Sequence, residues 1–213
     1  MSDNSLNPHH VLNFYKLAEK LKSTLRHSWL SDQNRQESVA EHTWMMGMLA
    51  LILLPKMKIS LDELKVIKMI LVHDLAEAIT EDMPVWQGVE NKTQKALAEK
   101  KAMASILSTL DNKTSQDLLK ICEEYEDRKS PEALFVKALD TLDVIVQHNS
   151  ADIKSWDDND YLWQLSPLQD EFFDFDPFLR KIKKEIDKAT IEKVEKVKKL
   201  DKLNQTELKK RRT

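Results

Sequence analysis

LVHDLAEAITEDMP, residues 71–84, decides how the rest of the chain reads. Its apolar residues Leu71 and Leu75 continue a helical spacing begun by Leu64 and Ile67. Into that apolar helix the stretch sets an imidazole and a carboxylate side by side, His73 and Asp74. Two polar side chains there are costly unless something binds them. A further histidine lies upstream at His42 and an aspartate downstream at Asp140. Imidazole nitrogens and carboxylate oxygens are donors a divalent metal accepts, so the order H…HD…D points to a metal site.

Composition fits an all-helical reading. The 213 residues are 41% apolar and 32% charged, enough for a single soluble domain with its own core. Only two glycines are present, Gly47 and Gly88, so the glycine-rich phosphate loops of dinucleotide and Walker folds are excluded. Cys122 is the single cysteine, which excludes an internal disulfide and a cysteine-based zinc knuckle; it reads as a structural helix residue. The N-terminal MSDNSLNPHH lacks the apolar region of a signal peptide. The longest apolar run, Trp44 to Pro55, is too short to span a membrane and reads as a core helix. The expected compartment is the cytoplasm.

Helix starts are well marked. Asn7-Pro8 opens a helix through Phe14, Leu17 and Leu21. Ser38 with Glu41 makes a capping-box pattern ahead of Val39, Met46, Leu49 and Leu53, and Ser60 with Glu63 repeats it. Further helices are expected near 91–110, 115–127, from Ser130-Pro131 through Ile145, and from Pro177 onward. The aromatic stretch 152–166, with Trp156, Tyr161 and Trp163, reads as a loop. The expected organisation is one compact helical bundle over residues 1–180 and a charged C-terminal helix or tail over 181–213. From Arg180 on, 14 Lys/Arg stand against 6 Asp/Glu, a net of +8 within a chain of net charge −3. No aromatic residues interleave those charges, which argues against nucleic acid and for a solvated helix.

Placed on these helices, His42 falls in a first turn, the doublet late in the next long helix and Asp140 mid-helix. Neighbours on a helix point about 100° apart, so His73 and Asp74 converge on one ion only where several helices meet. Glu77 lies four residues from His73 and three from Asp74, on the same side of the helix. Arg26 and Trp29 precede His42 in LRHSWL; arginine grips phosphate bidentately and tryptophan stacks on a base or walls off a sugar. Arg35 and Lys137 are further phosphate candidates by their spacing from His42 and Asp140.

Three words carry a resemblance: ESVAEHTW (37–44), LVHDLAEAITEDMP (71–84) and FVKALDTLD (135–143). Together they resemble the HD-domain phosphohydrolases, and within them the small 5′-deoxynucleotidase branch, over about residues 10–150. The resemblance implies an all-α HD-domain bundle and four metal ligands, His42, His73, Asp74 and Asp140. It implies one divalent cation, with Mn, Co, Fe, Ni, Zn and Mg all open. A two-metal variant would add histidines between the doublet and the last aspartate; none lies between Asp74 and Asp140, which favours one ion. His148 is left as a surface or loop-adjacent histidine, and His9, His10 and His27 are set aside as ligands, with His27 still open as a residue facing the substrate.

The implied reaction is removal of the 5′-phosphate of a (deoxy)nucleoside monophosphate by a metal-activated water, with Asp74 and Glu77 as catalytic groups. Glu77 would orient or deprotonate that water, donation to the leaving oxygen being the alternative. Arg26, Trp29, Asp82, Arg35 and Lys137 would bind substrate, Asp82 near the sugar. The related pattern commonly has glycine where Glu81 stands, a departure beside that contact. The resemblance also implies a homodimer. Two other readings remain open: hydrolysis of a nucleoside triphosphate or signalling nucleotide, and a metal-bound scaffold without turnover.

Overall fold

The computed structural model describes residues 7–83 and 92–210. Expectations at Pro84, Asn91 and residues 211–213 lie outside them. Nine helices are described: α1 (Pro8–Ala18), α2 (Val39–Leu53), α3 (Glu63–Val72), α4 (Glu77–Thr80), α5 (Lys92–Leu107), α6 (Asn112–Asp127), α7 (Pro131–Ser150), α8 (Asp158–Gln164) and α9 (Pro177–Lys210). The fold is all-α in class. One small antiparallel hairpin interrupts it, β1 (Leu25–Trp29) with β2 (Gln36–Ser38), pairing Leu25 with Ser38 and Trp29 with Gln36. The sequence reading had no strand here; five residues between polar turns carry too little periodicity to announce one.

Local chemistry sets most boundaries. Asn7 caps α1 through its side chain, Ser38 and Glu41 close a full capping box on α2, and Ser130 caps α7 ahead of Pro131. The α3 cap corrects the sequence reading: Asp62 accepts from the Lys65 N–H at 3.0 Å, and Ser60 does not serve. The stretch 152–166 is also more ordered than expected. Asp157 and Asp160 form a capping box that starts α8, flanked by short 3₁₀ turns.

α7 is the axis of the molecule. Phe135, Val136, Ala138, Leu139 and Leu142 are fully or nearly fully buried between α2, α3 and α6 on one side and α9 on the other. A second cluster under α5 gathers Leu21, Val39, Leu75, Met103 and Ile106. α9 seals α7 with Leu179, Thr190 and Val194, all buried. The α2 run corrects the reading of a core helix. Met46, Ala50 and Leu53 point inward, whereas Trp44 and Leu51 are each 63% exposed and Met48 and Ile52 are also exposed. No described helix is long and apolar enough to cross a membrane.

Candidate metal centre

The capping box fixes where α2 starts, and that puts His42 in its first turn, fully buried. The His73-Asp74 doublet does not sit inside a helix, as its spacing suggested. α3 ends at Val72, and the chain tightens through residues 73–76 before α4. Leu75 N–H donates to Val72 O at 3.1 Å and Glu77 N–H to Asp74 O at 3.0 Å, bonds of three-residue span. With about three residues per turn, Asp74 and Glu77 stand in line. The tightened turn, rather than an α-helical i+4 face, brings Glu77 over the doublet. Asp140 projects from the middle of α7.

His42 Nε2 lies 3.3 Å from Asp140 Oδ1 and 3.9 Å from Asp74 Oδ2, and His73 Nε2 lies 3.1 Å from Asp74 Oδ2. The two imidazole centroids are 5.5 Å apart. Their other nitrogens are committed. His42 Nδ1 meets Asp143 Oδ2 at 2.7 Å, and His73 Nδ1 meets the Ile70 carbonyl at 2.8 Å. A carbonyl only accepts, so His73 Nδ1 carries the proton and Nε2 presents its lone pair inward. Both Nε2 atoms are buried with no hydrogen-bond partner despite the nearby carboxylates. Buried polar atoms without partners are rare. His42, His73 and Asp140 each offer a ligand atom within 4.8 Å of the other two, with Asp74 against both histidines, and such a donor set fits a divalent ion.

The electrostatics agree. Burial and Arg26 would each lower the His42 imidazole, yet Asp140 and Asp143 raise it to about 9. Burial would raise Asp140 and Asp74; Lys137 and His42 outweigh this at Asp140, and His73 and Arg26 at Asp74, so both carboxyls stay well below their usual range. Burial and the Asp74 and Asp82 charges push the Glu77 carboxyl far above its usual range. Glu77 Oε2 is also buried and without a hydrogen-bond partner.

The substrate candidates divide. Arg26 Nη1 donates to Asp74 Oδ2 at 3.1 Å, and Lys137 Nζ donates to Asp140 Oδ2 at 2.7 Å, so both cations reach the centre. Asp82, just past α4, is close enough to act electrostatically on Arg26 and Glu77. Trp29 is half-buried in β1, its carbonyl accepting from Gln147 Nε2 at 2.7 Å. Arg35 is half-exposed and gripped by Glu41, the N3 residue of the α2 capping box; its partners, Glu41 and the Gln36 carbonyl, lie outside the centre. Glu81 has φ 62° and ψ 160°, a backbone region suited to glycine, at the position between Thr80 and Asp82.

Sequence reasoning missed two acids. Asp143, buried one turn after Asp140, holds His42 from behind. Glu37 accepts from Ser28 Oγ at 3.3 Å and lies 3.7 Å from Arg26 Nε; burial and the Asp143 charge raise it to about 7. LDTLD and ESVAEH display both acids, but only the packing of β1 and α2 on α7, with β2 paired to β1, says which point inward. His148 is corrected as well: it is buried in α7 and bonded to Asp160, not on the surface.

The chain is similar to known proteins. The HD domain sequence model matches residues 18–169. The 5′-deoxynucleotidase HDDC2 of Danio rerio is 39% identical over 138 residues, 64% of this chain and 67% of the relative. That of Dictyostelium discoideum is 35% identical over 142 residues, 64% of this chain and 74% of the relative. Among solved structures, a predicted metal-dependent phosphohydrolase from Magnetospirillum magnetotacticum superposes with a TM-score of 0.73 at 22% identity, covering 86% of this chain and 92% of that one. A conserved hypothetical protein from Pyrococcus furiosus gives 0.62 at 28% identity, covering 84% and 98%. With the family match running across most of the fold just described, this chain belongs to the HD domain family.

Proposed function

We propose that this chain is a metal-dependent 5′-deoxynucleotidase, releasing phosphate from deoxynucleoside 5′-monophosphates. The observation that carries the reading is the pair of buried Nε2 atoms of His42 and His73, unpartnered and facing Asp74 and Asp140. The relatives named 5′-deoxynucleotidase support the choice of substrate.

His42, His73, Asp74 and Asp140 would hold one divalent cation. Such an ion lowers the pKa of water and neutralises charge on a phosphoryl oxygen. Arg26 and Lys137 bring fixed positive charge to the rim, where a phosphate dianion needs it. Arg26 lies on Asp74 here and would turn its free donors toward phosphate. Glu77, buried beside Asp74, would orient the attacking water or deprotonate it, donation to the leaving 5′-oxygen being the alternative; the raised carboxyl, which keeps its proton, favours donation. Trp29 and Asp82 would line the nucleoside side, and Arg35 would extend the positive rim. Every one of these residues falls within the proposed unit over residues 1–180; the proposed charged C-terminal part over 181–213 continues from it, and its described portion lies in α9, which packs against α7.

A homodimer belongs to the same proposal. Trp44, Met48, Leu51 and Ile52 are exposed on α2, as are Leu64 and Leu71 on α3, more apolar surface than a solitary helix pair leaves in water. Leu51→Lys would then lower the mass measured by light scattering to that of one chain. The cytoplasm is proposed as its site of action.

The test is a panel of nucleoside mono-, di- and triphosphates with each candidate metal, reading released phosphate and pyrophosphate separately. Phosphate from deoxynucleoside monophosphates is expected. Pyrophosphate or tripolyphosphate as the main product, or no turnover with any divalent ion, would overturn the assignment.

A further inference from the structure

β1 has two sides, and only one of them serves the centre already described. Strand alternation sends Arg26 and Ser28 toward Glu37 and Asp74. It sends His27, between them, the other way. There His27 Nε2 meets Asp160 Oδ2 at 3.1 Å. His148, from α7, meets the other oxygen of the same carboxylate, Nε2 to Oδ1 at 3.2 Å. The two imidazoles stack, their centroids 6.1 Å apart and planes 29° apart. Asp157 Oδ2 lies 3.9 Å from His27 Nε2 on the more exposed side.

The wiring of His148 repeats that of His73. Its Nδ1 lies 2.9 Å from the Val144 carbonyl, which accepts and cannot donate. Nδ1 therefore carries a proton, and a neutral ring offers the Nε2 lone pair to a carboxylate oxygen. Two lone pairs do not sit at 3.2 Å unless a cation lies between them, either a second proton or a metal ion. Asp160 is fixed for the same task. It is 1% exposed, and the Asp157 N–H donates to its Oδ2 at 2.8 Å. A ring nitrogen of His27, a ring nitrogen of His148 and an Asp160 oxygen all lie within 4.8 Å of one another. Ligand atoms on a tetrahedral zinc sit roughly 3.4 Å apart, given bonds of about 2.1 Å. The two nitrogen–oxygen spacings here are close to that value.

We propose that His27, His148 and Asp160 form a second divalent-metal site, distinct from the HD centre, for a zinc-class ion bound by two imidazoles and a carboxylate. The ion enters by displacing the Nε2 protons to solvent, with Asp157 or water completing the shell on the exposed side. Its position ties β1 to α7 and α8. The strand that presents Arg26 to Asp74 is thereby fixed from behind.

The full-length chain, dialysed against zinc chloride and then against metal-free buffer, is analysed for zinc by mass spectrometry. Long-range proton–nitrogen spectra of its histidines are recorded during zinc titration. Wild type is expected to hold one zinc ion more than His27→Ala, and His27→Gln should match His27→Ala. Asp74→Asn, which damages the HD centre, should still show zinc-dependent shifts at His27 and His148. Equal zinc content in wild type and both His27 variants would overturn the proposal. So would spectra in which His42 and His73 respond while His27 and His148 do not, which would leave a proton-bridged network only.

Discussion

Two histidine–carboxylate clusters lie on opposite sides of β1, and they differ in where their nitrogens aim. At the HD centre, Nε2 of His42 and of His73 come within 3.1–3.9 Å of carboxylate oxygens but hydrogen-bond none of them. At the second cluster, Nε2 of His27 and of His148 both bond Asp160 directly. The first set converges on a point between the side chains; the second closes on itself through protons. The first therefore offers converging lone pairs, while in the second a metal must also break the imidazole–carboxylate hydrogen bonds. Affinity should be higher at the HD centre.

The largest effect should come from removing a carboxylate shared by both HD histidines. Asp74→Ala is expected to lower metal content and to cut phosphate release by more than about 100-fold, beyond what loss of a ligand's supporting partner costs. Phosphate release at the wild-type rate would show that the convergence has no catalytic meaning. Next comes the support behind His42. Asp143→Asn leaves the ring in place but weakens the acceptor at Nδ1, and should cost about 10- to 100-fold in metal affinity at the HD centre by calorimetric titration. Unchanged affinity would mean that the 2.7 Å contact with Asp143 does not orient the ligand.

The second cluster gives a pH signature. The hydrogen bond to Asp160 raises His27 against the opposing effect of burial, with the Asp160, Asp157 and Asp82 charges adding to the rise. Burial would raise Asp160, but hydrogen bonds from His148 and His27 outweigh it and hold that carboxyl below its usual range. A raised imidazole contributes stability at pH below its unfolded value and loses it as pH climbs through the folded one. A depressed carboxyl contributes stability above its unfolded value and loses it as pH falls. As pH rises above the ordinary imidazole range, metal-free wild type should thus lose more melting temperature than His27→Gln, and zinc should narrow that difference. A melting profile identical with and without zinc would separate this cluster from metal binding altogether.

The smallest effect concerns the loop that links the HD centre to Asp82. Glu81 at φ 62° and ψ 160° occupies a conformation costing about 1–3 kcal/mol for a residue with a side chain. Glu81→Gly relieves that strain but adds roughly 0.5–1 kcal/mol of unfolded-state freedom. A net gain of about 1 kcal/mol in denaturant unfolding is expected. A loss of stability would show that the Glu81 side chain itself holds the loop.

Much of this was legible beforehand. Capping residues, prolines and apolar spacing located α1, α2, α7 and α9, because those signals act within a few residues of chain. The four metal candidates followed from residue type and from the surrounding words. What escaped was every feature that depends on distant segments meeting. The β1–β2 hairpin is too short to carry a pattern of its own. The doublet's helix ends at Val72, and the tightening that follows sets Asp74 and Glu77 in line.

The sequence by itself determined the helical class, the helix starts and the chemical kind of the ligands, since propensity, capping and donor type belong to single residues and their near neighbours. Only the tertiary structure decided which acids stand behind which histidines. Asp143 is 101 residues from His42, and Asp160 is 133 from His27. Contacts of that span arise when α7 is packed against α2, β1 and the α8 segment, and no local rule records them. Burial then turns those contacts into strong electrostatic effects, which the same residues would lack in an open chain.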